Sequence, residues 1–322
     1  MRIAVCYDQR ENFPNQGYRG VIHALRSLGH FVPDEFDVAR VNINSQLAGN
    51  GFDIILKLDC CDPFGVPRAT GAVSVVWQYD NWQNFNNNKE PNYVPSGNWC
   101  RQEFYIPQAK QADIVFSMSV IGVNNYKNGL IESLYLPIGA DERLSRKPRS
   151  IDKKYSIASI SGDWCMSHLL PSRRGVLIDK IHEHFNGRRS ECFLTNQIPY
   201  LDQADIYASA KMGWNFSPCG FSVINFRVWE VMCSGSCLLT NENSATQLRN
   251  LGFIDGLDFV SYPDNNEKQM LEIIDWLLAN DDHREQMALN GYNKTMRSHT
   301  MRHRMSVLLQ CVQFYKEERG IK

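Results

Sequence analysis

Short, nearly continuous apolar runs alternate along this chain with stretches of helical period, and the alternation is interrupted once. Ile3-Ala-Val-Cys6 opens the series as a strand, and a polar loop over 8–16 leads to a helix over 17–28 that Gly29 stops. The runs at 53–58 (DIILKL) and 72–77 (AVSVVW) are apolar at almost every position. Strands of a parallel sheet covered on both faces read this way. Residues 113–118 and 133–136 continue the pattern, with helical stretches between them. Residues 141–154 (DERLSRKPRSIDKK) then break it: they are charged, contain Pro148 and have almost no apolar periodicity, which suits an inter-domain linker.

The alternation restarts with strands at 155–160, 192–195, 212–216, 237–240 and 258–261, separated by helices at 173–185, 201–210 and 223–233. Helices at 267–279, 283–297 and 301–318 close the chain. Repeated strand–helix alternation predicts an α/β protein of two Rossmann-like, doubly wound domains. The expected division is 1–145, 152–300 and a C-terminal helix over 301–322 that crosses back to the first domain. A length of 322 residues fits, because single cores stop growing near ~250–300 residues.

Composition narrows the classes of function. A hydrophobic fraction of 43% with 21% charged residues describes an ordinary globular protein, and 34 basic against 35 acidic residues gives a net charge of -1. That balance supplies no global attraction to nucleic acid or anionic membrane. No apolar run approaches the ~18–20 residues of a membrane span, and the opening MRIAVCYDQR carries no export pattern, so a cytoplasmic location is expected. The ten cysteines include no C-x-x-C and are expected to be reduced, mostly buried thiols. The sequons at Asn215 and Asn293 then carry no glycan.

The densest chemistry lies in 213–240 (GWNFSPCGFSVINFRVWEVMCSGSCLLT). A strand ends near Phe216, Pro218 and Gly220 turn the chain, and Ser222 is the expected N-cap of the next helix, with Val223 in its first turn. A helix start at a sheet edge offers unpaired N–H groups to an anion. Arg227 and Glu230, three apart, share one helix face. The carboxylate is suited to accept two sugar hydroxyls; equally, the two side chains form an ordinary surface pair. Elsewhere, Asp80 follows a strand end in Trp77-Gln-Tyr-Asp80-Asn-Trp82, facing the crevice where open α/β sheets bind ligands, and is the candidate catalytic carboxylate, able to deprotonate or orient a hydroxyl, or, in the plainer reading, a turn cap. Trp82 and its neighbours Trp77, Tyr79, Phe85, Tyr93 and Trp99 could stack on a sugar or fill a core. Asp8 and Arg19 flank the first strand–loop–helix. His299 and His303 have the spacing of a zinc pair, but no third ligand is evident and no Asp-x-Asp triplet is present, so no metal and no cofactor are expected.

Asn225-x-Arg227-x-x-Glu230, followed by Cys233-x-Gly-Ser-Cys-Leu-Leu-Thr240, resembles the C-terminal signature of the CgeB-like (spore-coat) glycosyltransferases, relatives of the large group-1 family. Phe253-Ile-Asp-Gly256, Trp276-Leu-Leu-Ala279, Arg284, Gly291-Tyr292 and His299-Thr-Met-Arg-His-Arg304 extend the likeness. It is dense from residue 209 onward and thin before 150. The resemblance implies a GT-B fold with a cleft between its domains, a nucleotide-diphosphate sugar as donor and transfer to an acceptor hydroxyl. Glu230 matches the second member of that family's Glu-x7-Glu pair, which holds the nucleotide ribose; Ser222 stands where the first would be. Gly162, in Ile160-Ser-Gly-Asp-Trp164, with Arg173 and Arg174 matches the diphosphate-binding element. Asn225, Arg227, Ser222 and Val223 complete the implied donor site, and Asp8 and Arg19 stand where enzymes of that fold approach the donor phosphates. The acceptor is open between a glycan, a protein and a modified DNA base; charge does not favour DNA, although 143–154 holds a run of basic residues. A non-catalytic sugar-nucleotide or glycan-binding protein and a sugar-nucleotide epimerase are the competing readings.

Overall fold

A computed structural model describes residues 1–7, 16–33, 36–39, 42–59, 64–79, 102–148, 153–160, 173–186, 191–195, 198–217 and 224–321. Among them the chain divides into two compact units. One comprises the residues up to Ile138 together with those from Met301 on; the other is Gly139–Thr300.

The first unit is built from β1 (Ile3–Tyr7), α1 (Gln16–Ser27), β2 (Phe36–Asp37), α2 (Ile43–Leu47), β3 (Ile54–Leu58), β4 (Val73–Gln78), α3 (Gln102–Ala109), β5 (Ile114–Ser117), α4 (Val120–Asn128) and β6 (Leu134–Tyr135). Its strands are all parallel, in the order β2-β1-β3-β4-β5-β6. Every residue of β1, β3 and β4 is buried, which explains why these strands read as unbroken apolar runs rather than alternating ones.

The second unit contains β7 (Tyr155–Ile160), α5 (Arg173–His184), β8 (Cys192–Thr195), α6 (Gln203–Ala208), β9 (Ala210–Asn215), α7 (Phe226–Cys233), β10 (Cys237–Asn241), α8 (Glu242–Asn250), β11 (Val260–Tyr262), α9 (Glu267–Ala279) and α10 (Asp281–Ser298). Its sheet is again parallel, ordered β11-β10-β9-β7-β8. Side chains alternate across β9. Met212 and Trp214 join Leu177 and Ile181 of α5 and Ile274 and Leu277 of α9 in one core cluster, while Gly213 faces α7. A Cβ on Gly213 would lie 2.5 Å from both γ-methyls of Val231, so the missing side chain is what lets α7 pack this close. The chain enters and leaves this unit side by side: Ala140 N donates to His299 O at 2.9 Å.

α11 (Met301–Arg319) returns to the first unit, where it packs on α1 and Tyr315 Oη donates to Asp113 Oδ1 at 3.1 Å.

The charged segment expected as a linker is in its first half part of the second unit. Leu144 is fully buried, Asp141 is buried, and Arg146 N donates to Cys233 O at 2.9 Å. Arg143 closes onto Asp141 with its Nε 3.0 Å from both carboxylate oxygens, and Arg146 Nε donates to Asp205 Oδ1 at 2.7 Å. Charge density suggested solvent; these local pairs make partial burial affordable. Gly235 takes φ of +73°, and a Cβ there would meet Arg146 O at 2.6 Å, so the segment lies tightly over the end of α7. Cys6, Cys233 and Cys237 are buried free thiols, and burial pushes those of Cys6 and Cys237 up to about 12. Among the described residues no helix is long and apolar enough to cross a membrane.

Candidate functional site

In an open parallel sheet, ligands bind beyond the carboxyl ends of the strands where the strand order reverses. In the second unit that point lies between β7 and β9, since β8 lies on one side of β7 and the later strands on the other. Arg227 spans it. Its Nε donates to Ile160 O at the end of β7, and its Nη1 donates to Asn215 Oδ1 at the end of β9, both at 3.0 Å. Asn215 is itself fixed, its Nδ2 donating to Thr240 Oγ1 at 2.8 Å and its carbonyl accepting from Tyr262 Oη at 2.9 Å. The Asn215 sequon is therefore a fully buried structural amide. Ile160 N donates to Tyr207 Oη at 2.9 Å, which ties α6 into the same corner.

The helix that carries Arg227 begins later than its sequence suggests. Asn225, not Ser222, is the N-cap of α7, its side chain accepting from Val228 N at 3.3 Å. Asn225 thus serves its own helix through that oxygen. Ser222 and Val223 lie outside the described residues, as do Gly162, Asp8, Asp80 and Trp82.

Arg227 and Glu230 do not form the surface pair that their spacing permits. Glu230 is buried, and among the described residues its carboxylate accepts no hydrogen bond. Burial raises its pKa from 4.5 to about 7; the nearby Arg227 charge opposes the rise and Asp141 adds to it. Tyr200 lies in the same environment. It is buried, its hydroxyl has no hydrogen-bond partner among the described residues, and burial together with the charges of Glu230 and Asp141 lifts its pKa well above the usual phenol value. The corner thus combines a carboxylate with unused acceptor capacity, a phenol with an unused hydroxyl and a fixed guanidinium. Such a set suits a ligand that brings its own hydroxyl groups.

The two arginines at the start of α5 diverge. Arg173 pairs with Glu267 and donates through Nη2 to Asp264 O at 3.1 Å, which ties α5 to the start of α9. Arg174 reaches the end of β9, its Nη2 3.4 Å from Phe216 O. Beside it Asn241, a residue the sequence did not single out, locks the chain after β9: it accepts from Ser217 N at 2.9 Å and donates to Ser217 O at 2.6 Å. Asp141, Tyr200 and Tyr207 were likewise not singled out, since only tertiary packing brings them to α7.

Arg19 lies exposed on α1. Trp77 and Tyr79 are core rings, packed edge-to-face at 5.0 Å, not an open stacking platform. His299 ends α10 and stacks on Trp229 at 5.7 Å, ahead of the helix that carries His303, so the two imidazoles do not share a helix face. No group of three potential metal ligands occurs among the described residues.

Residues 174–310 match a family model described as glycosyl transferase-like. No curated protein matches the chain. Among solved structures, it is similar to an alpha-glucosyltransferase in complex with UDP-glucose and DNA containing an abasic site, at a TM-score of 0.69 and 11% identity over 97% of this chain and 99% of that one. It is similar to sucrose-phosphate synthase from Thermosynechococcus elongatus at a TM-score of 0.61 and 12% identity over 100% of both. A DNA-modifying beta-glucosyltransferase aligns at 0.60 and 12% over 97% of this chain and 100% of that one. The fold is GT-B. The matched stretch of this GT-B chain takes in α5, α7 and α10, and with them Arg174, Arg227 and Glu230.

Proposed function

We propose that the chain is a glycosyltransferase whose second unit holds a nucleotide-diphosphate sugar at the β7–β9 corner. The observation that carries this reading is Glu230: a buried carboxylate without a hydrogen-bond donor among the described residues, one turn along a helix that starts at the strand-order reversal. An acceptor that no protein donor uses is available to the hydroxyls of a ligand. The two ribose hydroxyls of a nucleotide fit that need. Tyr200 Oη supplies a further polar contact. With Arg173 turned away to Glu267, we assign to Arg174, which reaches the end of β9, the role of opposing the diphosphate charge as the nucleotide leaves.

Uridine diphosphate is the proposed nucleotide, because structurally similar enzymes are described with UDP or UDP-glucose. We also assign the chain to the CgeB-like group, on the Asn225-x-Arg227-x-x-Glu230 signature. Asp80 remains the proposed acceptor-side carboxylate. The net charge of -1, and the use of Arg143 and Arg146 in pairs within the second unit, support a carbohydrate acceptor over a polyanionic one. Incubation of the purified chain with a panel of UDP sugars tests the reading. Slow sugar release or transfer supports an enzyme, and binding without turnover contradicts it.

A further inference from the structure

Lys153, Lys211 and Gly235 stand at the amino ends of β7, β9 and β10, at the opposite edge of the second sheet from Arg227. Together with Asp282, Arg284 and Glu285 of α10 they line a cavity of about 380 Å³. That volume falls within the range of roughly 300–1,000 Å³ usual for small-molecule sites. Lys211 precedes Asn215 by four residues of β9, or about 13 Å at the rise of an extended strand. The cavity is therefore well separated from the bond that Arg227 makes to Asn215.

Arg284 gives the cavity its chemistry. It is only 2% exposed, yet one of its three nitrogens makes all of its hydrogen bonds. Nη1 donates to Leu277 O at 2.7 Å, near the end of α9, and to Asp281 Oδ1. Nε and Nη2 have no acceptor among the described residues. Those two nitrogens form the planar fork that takes both oxygens of a carboxylate. Two lysines add positive charge. Lys153 Nζ donates to Ala208 O at 2.6 Å, which leaves two of its three hydrogens for another acceptor, and Lys211 Nζ stands 3.7 Å from Asp281 Oδ1. Burial lowers the Lys153 pKa; Glu285 opposes the change and Arg284 adds to it, so an anion shared by the two cations is favoured. Asp282 and Glu285 are exposed. Their carboxylates accept hydroxyl hydrogens and repel a doubly charged head group.

We propose that this cavity binds a small polyhydroxy monocarboxylate, its carboxylate on the Nε/Nη2 edge of Arg284 and its hydroxyls on Asp282 and Glu285. The full chain, methyl-labelled and free of nucleotide, is titrated with gluconate and glucuronate and followed by NMR. Glucose lacks the carboxylate, acetate lacks the hydroxyls, and glucose 6-phosphate carries a dianionic head; each forms a separate arm. The methyl groups of Ala288 and Leu289, which line the cavity, report binding directly. At least one of the two sugar acids should shift them and bind more tightly than every comparison compound. Arg284→Lys keeps the charge and a donor for Leu277 O but loses the fork, and should weaken that binding about tenfold or more. Lys211→Gln alters a partly exposed side chain and should weaken it about threefold. If chemical melts show that Arg284→Lys does not fold, Lys211→Gln decides. No shift at Ala288 and Leu289 with either acid, binding of glucose, acetate or glucose 6-phosphate as tight as theirs, or wild-type affinity in the folded variants overturns the proposal. With nucleotide absent throughout, the result does not depend on the donor reading.

Discussion

Arg227 and Glu230 stand one turn apart on α7 without an ion pair between them. The guanidinium turns to Ile160 O and Asn215 Oδ1, each at 3.0 Å, and closes the gap between two strand ends. The carboxylate stays buried and, among the described residues, without a donor. One helix thus carries a structural cation and an acid held in readiness. The arginine nearby limits how far burial raises the acid's pKa.

The first prediction concerns pH. The folded chain holds the Glu230 proton more tightly than the unfolded chain, because burial lifts the pKa from 4.5 to about 7. Glu230 therefore favours folding fully below its ordinary pKa, and that contribution is lost as pH rises through about 7. Between about pH 5 and pH 8 the wild type should lose roughly 3 kcal/mol relative to Glu230→Gln, whose neutral side chain removes the dependence. Urea melts of both proteins at the two pH values measure this. Parallel curves would contradict it.

Arg227→Lys tests the structural half of the pair. An ammonium cannot make two directed bonds to a carbonyl and an amide oxygen as a guanidinium does. The variant should lose about 1–3 kcal/mol of stability in chemical melts. A smaller loss would mean that the β7–β9 corner is held by its other bonds.

Gly213→Ala should push α7 away from β9, since the new methyl would lie 2.5 Å from Val231. A cost of about 1–3 kcal/mol is expected from such overpacking, with nucleotide affinity falling as well because Glu230 rides on the same helix. Val231→Ala should restore part of both in the double variant. Additive losses would show that the two side chains do not compete for one space.

Arg174→Ala should lower sugar turnover more than tenfold, by roughly 1.4 kcal/mol or more at the barrier, whereas Arg173→Ala should cost stability with little change in rate. Steady-state kinetics with UDP-glucose separate them. The reverse ranking would move the diphosphate contact to Arg173.

Much of this architecture was legible in the sequence because strands buried on both faces leave an unmistakable apolar run, as at Ile54–Leu58 and Tyr155–Ile160. α8, Glu242–Asn250, was not foreseen: ENSATQLRN buries only small or polar residues besides Leu248, so it shows little apolar period. The start of α7 was misplaced because Ser222 and Asn225 are both good caps, and local chemistry does not choose between them. The spacing of Arg227 and Glu230 is visible in the sequence, but their divergence is not. Where a side chain's hydrogen bonds go depends on strands far away in sequence, as with Ile160, or on a segment such as 141–148 whose charges hide its burial.

Calorimetric titration of UDP into the wild type and Glu230→Gln at about pH 7.5 bears most directly on the donor site. If Glu230 accepts the ribose hydroxyls, the wild type binds and the folded variant binds about tenfold or more weakly. A wild type that produces no heat, or a variant with the same affinity, would contradict the account.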